Sequence, residues 1–115
     1  MIPDLDKTDI YIKPGKTDMR KQISGLAVVV QDEMELNPFS QSLFLFCNRE
    51  RKILKALYWE RNGFCLWQKR LEKDLYPWPK DEEEAKKISH DQLKLLLLGI
   101  DFWKAHKSLN YCEVL

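Results

Sequence analysis

Side chains able to bind a polyanion are concentrated between positions 49 and 73 of this 115-residue chain. The stretch carries eight lysines and arginines but three glutamates, a local charge of +5, whereas the whole chain has a net charge of +1. Lysine and arginine neutralise phosphate, and the four aromatic residues of the same stretch are able to stack on exposed bases. The pattern predicts a nucleic-acid-binding surface. A hairpin with a charged outer face and its aromatic residues in the core would give the same pattern, and this alternative stays open.

Two further cations, Arg20 and Lys21, fall in the first turn of a predicted helix. Cations at a helix N-terminus oppose the helix dipole, so either Asp18 or a bound anion is expected to compensate them, with simple solvation as the alternative. Together with four cations of the basic stretch they form the predicted set of phosphate contacts: Arg20, Lys21, Arg49, Lys55, Lys69 and Arg70.

Trp78 stands between Pro77 and Pro79 and is the predicted anchor for a protein partner. Aromatic side chains dominate the binding energy of many interfaces, and the flanking prolines would hold the indole in place. Burial of Trp78 in the core is the alternative.

Residue patterns typical of catalysis or metal binding are missing from the sequence. There is no nucleophile elbow, phosphate-binding glycine loop or zinc-protease motif. His90 and His106 lie sixteen residues apart, and Cys112 follows without the close ligand pair that zinc sites favour. We therefore expect a protein that is not an enzyme, with no catalytic residue, no metal and no cofactor. The three cysteines show no C-x-x-C spacing, and reduced thiols are expected.

Two helices are expected to position these residues. An apolar stripe predicts a helix over about 19–34, in which Thr17 or Asp18 caps the start and Pro38 follows the end. A second helix is predicted over about 89–99, capped by Ser89 and terminated by Gly99. The stripe of the first helix consists of Met19, Ile23, Leu26, Ala27, Val30 and Met34.

Strands are predicted near 9–13, 43–48, 53–60 and 64–70. The run at 43–47 is continuously apolar, as in a central strand covered on both faces. Asn62-Gly63 is a strong hairpin signal, and a two-residue loop there would pair Trp59 with Leu66, Tyr58 with Trp67 and Lys55 with Arg70. Residues 80–87 are expected to form a solvated loop or helical turn.

The element order predicts an α+β fold, a small antiparallel β-sheet with two main helices on one side. The length suits a single domain over residues 1–115, with a loosely ordered tail at about 104–115. No apolar run approaches the roughly 18 residues of a membrane span. The first residues lack the pattern of a signal peptide, so a cytoplasmic protein is expected.

Several segments, taken in order over roughly residues 10–103, resemble the TnpB-type accessory proteins of the insertion-sequence-66 group of bacterial mobile elements, the products of the second open reading frame. The segments that carry the resemblance are Asp18-Met19-Arg20-Lys21, Gly25-Leu26-Ala27, Asn37-Pro38-Phe39-Ser40, Asn48-Arg49, Leu57-Tyr58-Trp59-Glu60, Asn62-Gly63-Phe64, Lys69-Arg70-Leu71-Glu72, Trp78-Pro79 and Gly99-Ile100-Asp101.

The resemblance implies an accessory role in DNA transposition beside a separate, larger transposase that holds the acidic catalytic residues. It implies DNA at the element ends and the transposase as partners, and no cutting of DNA by the protein itself. A module that binds the transposase without touching DNA is the alternative. The sequence departs from the family pattern at Cys47, at Ile53-Leu54 and in the acidic run 81–84, changes that are expected to make the surface less positive.

Overall fold

A five-stranded mixed sheet is the centre of the computed structural model, which describes residues 7–80 and 85–103. The acidic run at 81–84 and the predicted tail at 104–115, with His106 and Cys112, lie outside the described residues. The elements are β1 (Asp9–Ile12), α1 (Ile23–Asp32), β2 (Ser42–Cys47), β3 (Ile53–Glu60), β4 (Gly63–Arg70), β5 (Lys86–Ile88) and α2 (His90–Leu97).

The strands follow the order β4-β3-β2-β1-β5 across the sheet. Strands β2, β3 and β4 form an antiparallel meander, and β5 pairs antiparallel with β1. Strands β1 and β2 are parallel, with Ile10 opposite Leu43, because α1 serves as the crossover between them. The predicted α+β class is confirmed, but the sheet is mixed rather than purely antiparallel.

Each face of the sheet carries its own core. Helix α1 covers one face, where Leu26 and Val30 pack with Phe44, Phe46 and Leu57. Helix α2 and the segment 76–78 cover the other face, where Leu93 and Leu96 join the side chains of β1, β2 and β3. All six residues of β2 are buried, as predicted for a central strand. The helices therefore lie on opposite faces, not on one side as expected.

Helix α1 begins at Ile23, four residues later than predicted. Residues 18–21 form a separate turn. The Asp18 carboxylate accepts a hydrogen bond from the backbone N–H of Arg20 at 2.9 Å, and the Asp18 backbone carbonyl accepts one from the N–H of Lys21 at 3.1 Å. Gln22 is the N-cap residue of the helix, and its side chain makes no capping hydrogen bond. Thr17 and Asp18 therefore do not cap α1, although every residue of the predicted apolar stripe packs on the same face of the sheet.

Helix α2 has the predicted ends. The Ser89 hydroxyl accepts the backbone N–H of Gln92, and the Gln92 side chain accepts the backbone N–H of Ser89, a reciprocal capping box. Gly99 takes a φ of 78° just beyond the helix, the left-handed conformation that favours glycine at a C-terminus.

The β3–β4 hairpin turns one residue earlier than predicted. Arg61 and Asn62 form the two-residue loop, Arg61 with a φ of 55°, and Gly63 pairs with Glu60. The register consequently places Trp59 opposite Phe64, Tyr58 opposite Cys65 and Lys55 opposite Gln68, which corrects all three predicted pairs. Strand β5, which overlaps the end of the stretch 80–87 expected to form a loop or helical turn, is not predicted from the sequence. No helix in the described ranges is long and apolar enough to cross a bilayer.

Candidate nucleic-acid interface

The cations of the β3–β4 hairpin do not share one face. Alternation along the strands sends Lys55 toward the α1 face of the sheet and Lys69 toward the α2 face. Each ammonium ends on backbone carbonyl oxygens of the helical layer that covers its face. The continuous basic hairpin surface predicted from the sequence is therefore not formed.

Lys55 is a buried structural lysine with 3% of its surface exposed. Its ammonium donates to the carbonyl oxygens of Met19, at 2.9 Å, and Lys21, at 3.0 Å. Burial lowers the pKa of this ammonium, because it disfavours the charged form. The predicted phosphate contact at Lys55 is incompatible with this burial. The side chain fixes the turn that precedes α1.

Lys69 connects the sheet to the end of α2. Its ammonium donates to the carbonyl oxygen of Leu97 at 2.9 Å, and its side chain is half-buried. Cations are favoured at helix C-termini, where carbonyl groups have no partner within the helix. This contact gives Lys69 a structural role, and its contact with phosphate stays a prediction.

Two of the predicted cations are paired with acids at the surface. Arg70 contacts Glu72 at 3.0 Å, and Arg20 contacts Asp18 at 2.8 Å. Hydrogen bonds from the Arg20 side chain and backbone lower the pKa of Asp18 to about 2. Asp18 thus compensates Arg20, one of the three possibilities left open by the sequence. The neighbouring Lys21 side chain is exposed.

Trp78 belongs to the core on the α2 face. It is 6% exposed, and its indole N–H donates to the carbonyl oxygen of Lys13 at 2.9 Å. The indole is therefore buried and hydrogen-bonded, which is the alternative stated from the sequence, and not exposed as expected of a partner anchor. The departures from the family pattern at Cys47 and Leu54 are likewise fully buried, and do not alter the surface charge.

Arg49, the remaining predicted contact, lines a cleft of about 310 Å³ at the end of the sheet where β2 turns into β3. Four cations converge there from three separate segments, and none of the lining residues in the part of the chain that the structure describes is acidic. Within the described ranges, none of the four is paired with a carboxylate. The residues of this basic cleft are Gly15, Lys16, Asn48, Arg49, Arg51, Trp78, Pro79 and Lys80.

Asn48 organises the side of the cleft formed by the β2–β3 turn. Its side-chain oxygen accepts the backbone N–H groups of Lys52, at 2.9 Å, and Ile53, at 3.0 Å. The Arg51 N–H donates to the carbonyl of Asn48 at 3.1 Å, with Arg51 held at a φ of 61°. These bonds fix the backbone from which Arg49 and Arg51 project.

On the opposite side of the cleft, Gly15 connects the segment that follows β1 to the segment at 78–80. Its N–H donates to the carbonyl of Pro79 at 2.8 Å, and its φ is 78°. A Cβ at this position would lie 3.0 Å from the carbonyl oxygen of Lys80. Glycine is thus required both by the backbone conformation and by the close approach of the two segments. This approach brings Lys16 and Lys80 to the same cleft.

Lys16, Arg51 and Lys80 were missed as site residues by sequence reasoning. They are separated by up to 64 positions, and only the tertiary contacts of the cleft bring them together. The charged turn at 48–51 and the Pro14-Gly15 break that precedes Lys16 were the available signals.

An aromatic cluster lies at the other end of the sheet. Phe39, Trp59 and Phe64 have ring centroids 5.0 to 5.2 Å apart, and Phe39 is 57% exposed. Trp59 ends β3 and Phe64 begins β4, whereas the basic cleft lies where β3 begins. The two surfaces are therefore separated by the length of the hairpin.

Metal-binding groups do not assemble in the part of the chain that the structure describes, where no three His, Cys, Asp or Glu side chains meet. Cys47 and Cys65 are free thiols. Burial raises the pKa of Cys47 to about 12, so this thiol stays protonated at neutral pH.

Comparisons with known proteins agree with the resemblance seen in the sequence. The family described as "IS66 Orf2 like protein" matches residues 8–107. The uncharacterized protein y4hO of Sinorhizobium fredii (strain NGR234) is 39% identical over 102 residues, which cover 89% of each chain. The uncharacterized protein y4jC of the same strain is 24% identical over 98 residues, 85% of this chain and 84% of the relative. No solved structure gives a significant match. The chain therefore belongs to the IS66 Orf2-like protein family.

Proposed function

We propose that this protein is an accessory factor in DNA transposition that holds DNA by its backbone phosphates in the basic cleft while a separate transposase performs the chemistry. Family membership implies the transposition-associated accessory role. The DNA contact, at the ends of the mobile element, and the assistance to the transposase encoded by the same element are our proposal.

The observation that carries the DNA contact is the convergence of Lys16, Arg49, Arg51 and Lys80 on one concave surface that has no acidic lining residue among the described ones. Cations without a carboxylate partner in the described ranges are available to neutralise phosphate and release its counterions. Lysines and arginines dispersed over the rest of the surface, or paired as Arg70 is with Glu72, contribute much less.

Arg20 and Lys21 extend this surface in the proposal. They directly follow Asp18 and Met19, which line a hollow adjoining the basic cleft and sharing Lys16 and Arg49 with it. Because Asp18 neutralises Arg20, Lys21 is the stronger contributor of the two.

Equilibrium binding to a fluorescently labelled duplex of an element end, at about 50 mM salt where phosphate contacts are strong, tests the proposal. We expect the wild-type protein to bind and the double variant Arg49→Gln/Lys80→Gln to lose about tenfold or more in affinity, since each charged contact is worth about that factor. Both side chains are exposed, so the fold should tolerate the changes.

The matched control is Lys7→Gln/Lys94→Gln, which removes the same charge from exposed positions outside the cleft. This variant should bind nearly as well as the wild type. Undetectable binding of the wild-type protein, or equal losses in the two double variants, would overturn the role of the basic cleft.

A protein-interaction module that binds the transposase without contacting DNA is the second candidate, and the exposed aromatic cluster favours it. Phe39 packs on Trp59 and Phe64 yet leaves more than half of its own surface in solvent, as a partner anchor would. Co-purification with the transposase separates the candidates. If Phe39→Ala abolishes co-purification and the wild-type protein does not bind DNA, the module is the correct function.

A further inference from the structure

We infer that the basic cleft selects the phosphate monoester at the end of a nucleic-acid strand over the diesters along its backbone. This inference rests on the proposed function and narrows it to one chemical group. Strand ends that carry such a group arise wherever a strand is cut, as it must be when a DNA segment moves.

The shape of the cleft favours a terminal group. Its volume of about 310 Å³ lies at the lower limit of small-molecule pockets. Duplex DNA presents its phosphates as a closely spaced array on a convex surface, with one charge per roughly 1.7 Å of axis. A concave site of this size can enclose a projecting group on several sides, and the end of a strand offers such a group, whereas backbone phosphates contact the same cations from outside the cleft.

The charge of the cleft favours a monoester as well. A terminal phosphate carries a charge of about −1.5 to −2 at neutral pH, because its second pKa is about 6, whereas a diester carries −1. The cleft is surrounded by Lys16, Arg49, Arg51 and Lys80, and its described lining residues include no carboxylate. The additional negative charge is therefore stabilised by every cation present.

The rigid backbone of the cleft reduces the cost of ordering these cations. The backbone hydrogen bond from Gly15 to Pro79 joins the segment that carries Lys16 to the segment that carries Lys80. The N–H of Tyr76 donates to the carbonyl of Arg51 at 2.8 Å, which joins the β2–β3 turn to the segment that leads to Lys80. A site that is organised before the ligand arrives loses less entropy on binding.

Thr17 supplies an observation independent of charge. It lines the hollow that adjoins the cleft beside Lys16, Asn48 and Arg49, and it is 6% exposed. Its hydroxyl is buried without a hydrogen-bond partner among the described residues. Such unpaired groups are rare in native structures. In our inference, rotation of the Thr17 side chain brings the hydroxyl to a phosphate oxygen bound beside Lys16 and Arg49, which provides the missing acceptor.

Two acids line the same hollow and limit where the phosphate sits. Asp18 is paired with Arg20, and Glu50 accepts a hydrogen bond from the Asn48 side chain at 3.3 Å. Both carboxylates repel an anion, so the phosphate must occupy the side shared with the basic cleft, against Lys16 and Arg49.

Binding of one short single-stranded oligonucleotide in three forms, with a 5′-phosphate, a 3′-phosphate or hydroxyls at both ends, tests the inference. We expect at least one phosphorylated form to bind about tenfold tighter than the hydroxyl form, the size of one charge-assisted hydrogen bond. Inorganic phosphate should compete with the phosphorylated strand more strongly than sodium chloride of equal ionic strength.

Two variants assign the preference to this site. Arg49→Gln should remove it, and Thr17→Val, which keeps the shape of the side chain, should weaken it while leaving the thermal midpoint unchanged or higher. Lys94→Gln is the charge control and should keep the full preference. A loss of preference caused by misfolding would instead lower the thermal midpoint of Thr17→Val.

Equal affinity for phosphorylated and hydroxyl strands would overturn this inference while leaving the proposed DNA contact intact. No binding of any strand or duplex would overturn both. A phosphate preference that persists in Arg49→Gln would place the terminal group elsewhere on the protein and would also contradict the inference.

Discussion

The buried Lys55 ammonium stabilises the fold through hydrogen bonds to two backbone carbonyl groups. Replacement by Met keeps the length of the side chain but removes the donor that the carbonyl oxygens of Met19 and Lys21 share. Relief of the buried charge offsets part of the loss, and we expect the free energy of unfolding to fall by about 2 kcal/mol. Urea denaturation of Lys55→Met measures the change, with the exposed Lys94→Met as control. An unchanged midpoint in Lys55→Met would show that the two bonds do not stabilise the fold.

Tyr76 gives the protein a dependence on alkaline pH. The ring is fully buried, its hydroxyl donates to the carbonyl of Lys69 at 3.1 Å, and burial raises its pKa from 10 to about 12. A pKa that is higher in the folded than in the unfolded state stabilises the fold below pH 10, and this stabilisation is lost as the pH rises toward 12.

Tyr76→Phe removes both the hydrogen bond and the ionisable group. We expect the variant to be less stable than the wild type at pH 8, by about 1 kcal/mol. This difference should shrink above pH 10 and reverse before pH 12, because a rise in pKa from 10 to about 12 corresponds to more than about 1 kcal/mol of stability that only the wild type loses. Urea unfolding at a series of pH values measures this change of sign. Parallel curves would mean that Tyr76 ionises equally easily in both states.

At the residue scale, the sequence indicated a concentration of cations but not the partner of each one. Lys55 and Lys69 have the same residue type and local environment in the sequence as a surface lysine. Their ammonium groups donate to carbonyl oxygens of residues 28 to 36 positions away in the sequence, and only the fold brings these residues near. Arg49 was identified correctly as a member of an exposed charged turn, because a turn between two apolar strands leaves its side chains in solvent.

Helix α2 is the element whose ends are most fully specified by local residues. The Ser89–Gln92 capping box satisfies N–H groups that the first turn cannot pair, and we expect Ser89→Ala to lower the free energy of unfolding by about 1 kcal/mol. Ser24→Ala, an exposed serine inside α1, is the matched control and should be neutral or slightly stabilising because alanine is the better helix former. Equal effects of the two substitutions, measured by thermal unfolding, would contradict a capping role.

Element types were more predictable than their arrangement. Apolar periodicity located both helices and four strands, since these patterns are local. The parallel pairing of β1 with β2 follows from the α1 crossover, a strand–helix–strand order that the expectation of a purely antiparallel sheet overlooked. Strand β5 has one buried residue, Ile88, opposite Ile10, and a three-residue edge strand of this kind has no periodicity of its own.

At the scale of the whole molecule, a net charge of +1 conceals an uneven surface. The fold uses some cations as internal ties, pairs others with neighbouring acids, and collects four in the basic cleft. The exposed aromatic cluster lies at the opposite end of the hairpin, which spans eight residues per strand, roughly 25 Å. A protein that holds DNA at one end and a partner at the other needs this separation, so that one contact does not obstruct the other.

The salt dependence of DNA binding reports how many phosphates the whole molecule engages. Each phosphate neutralised on a duplex contributes about −0.9 to the slope of log affinity against log salt. The four cations of the basic cleft therefore contribute at most about −3.6 to this slope, and Lys21 adds about −0.9 where it also contacts a phosphate. Removing two of them in Arg49→Gln/Lys80→Gln should make the slope shallower by about 1.8, whereas Lys7→Gln/Lys94→Gln should leave it unchanged. Titrations of a labelled duplex at several salt concentrations measure these slopes. A much steeper wild-type slope would require phosphate contacts beyond the cleft. An unchanged slope in the cleft variant would show that the cleft does not contact DNA, because counterion release depends on the number of phosphate contacts and not on sequence recognition.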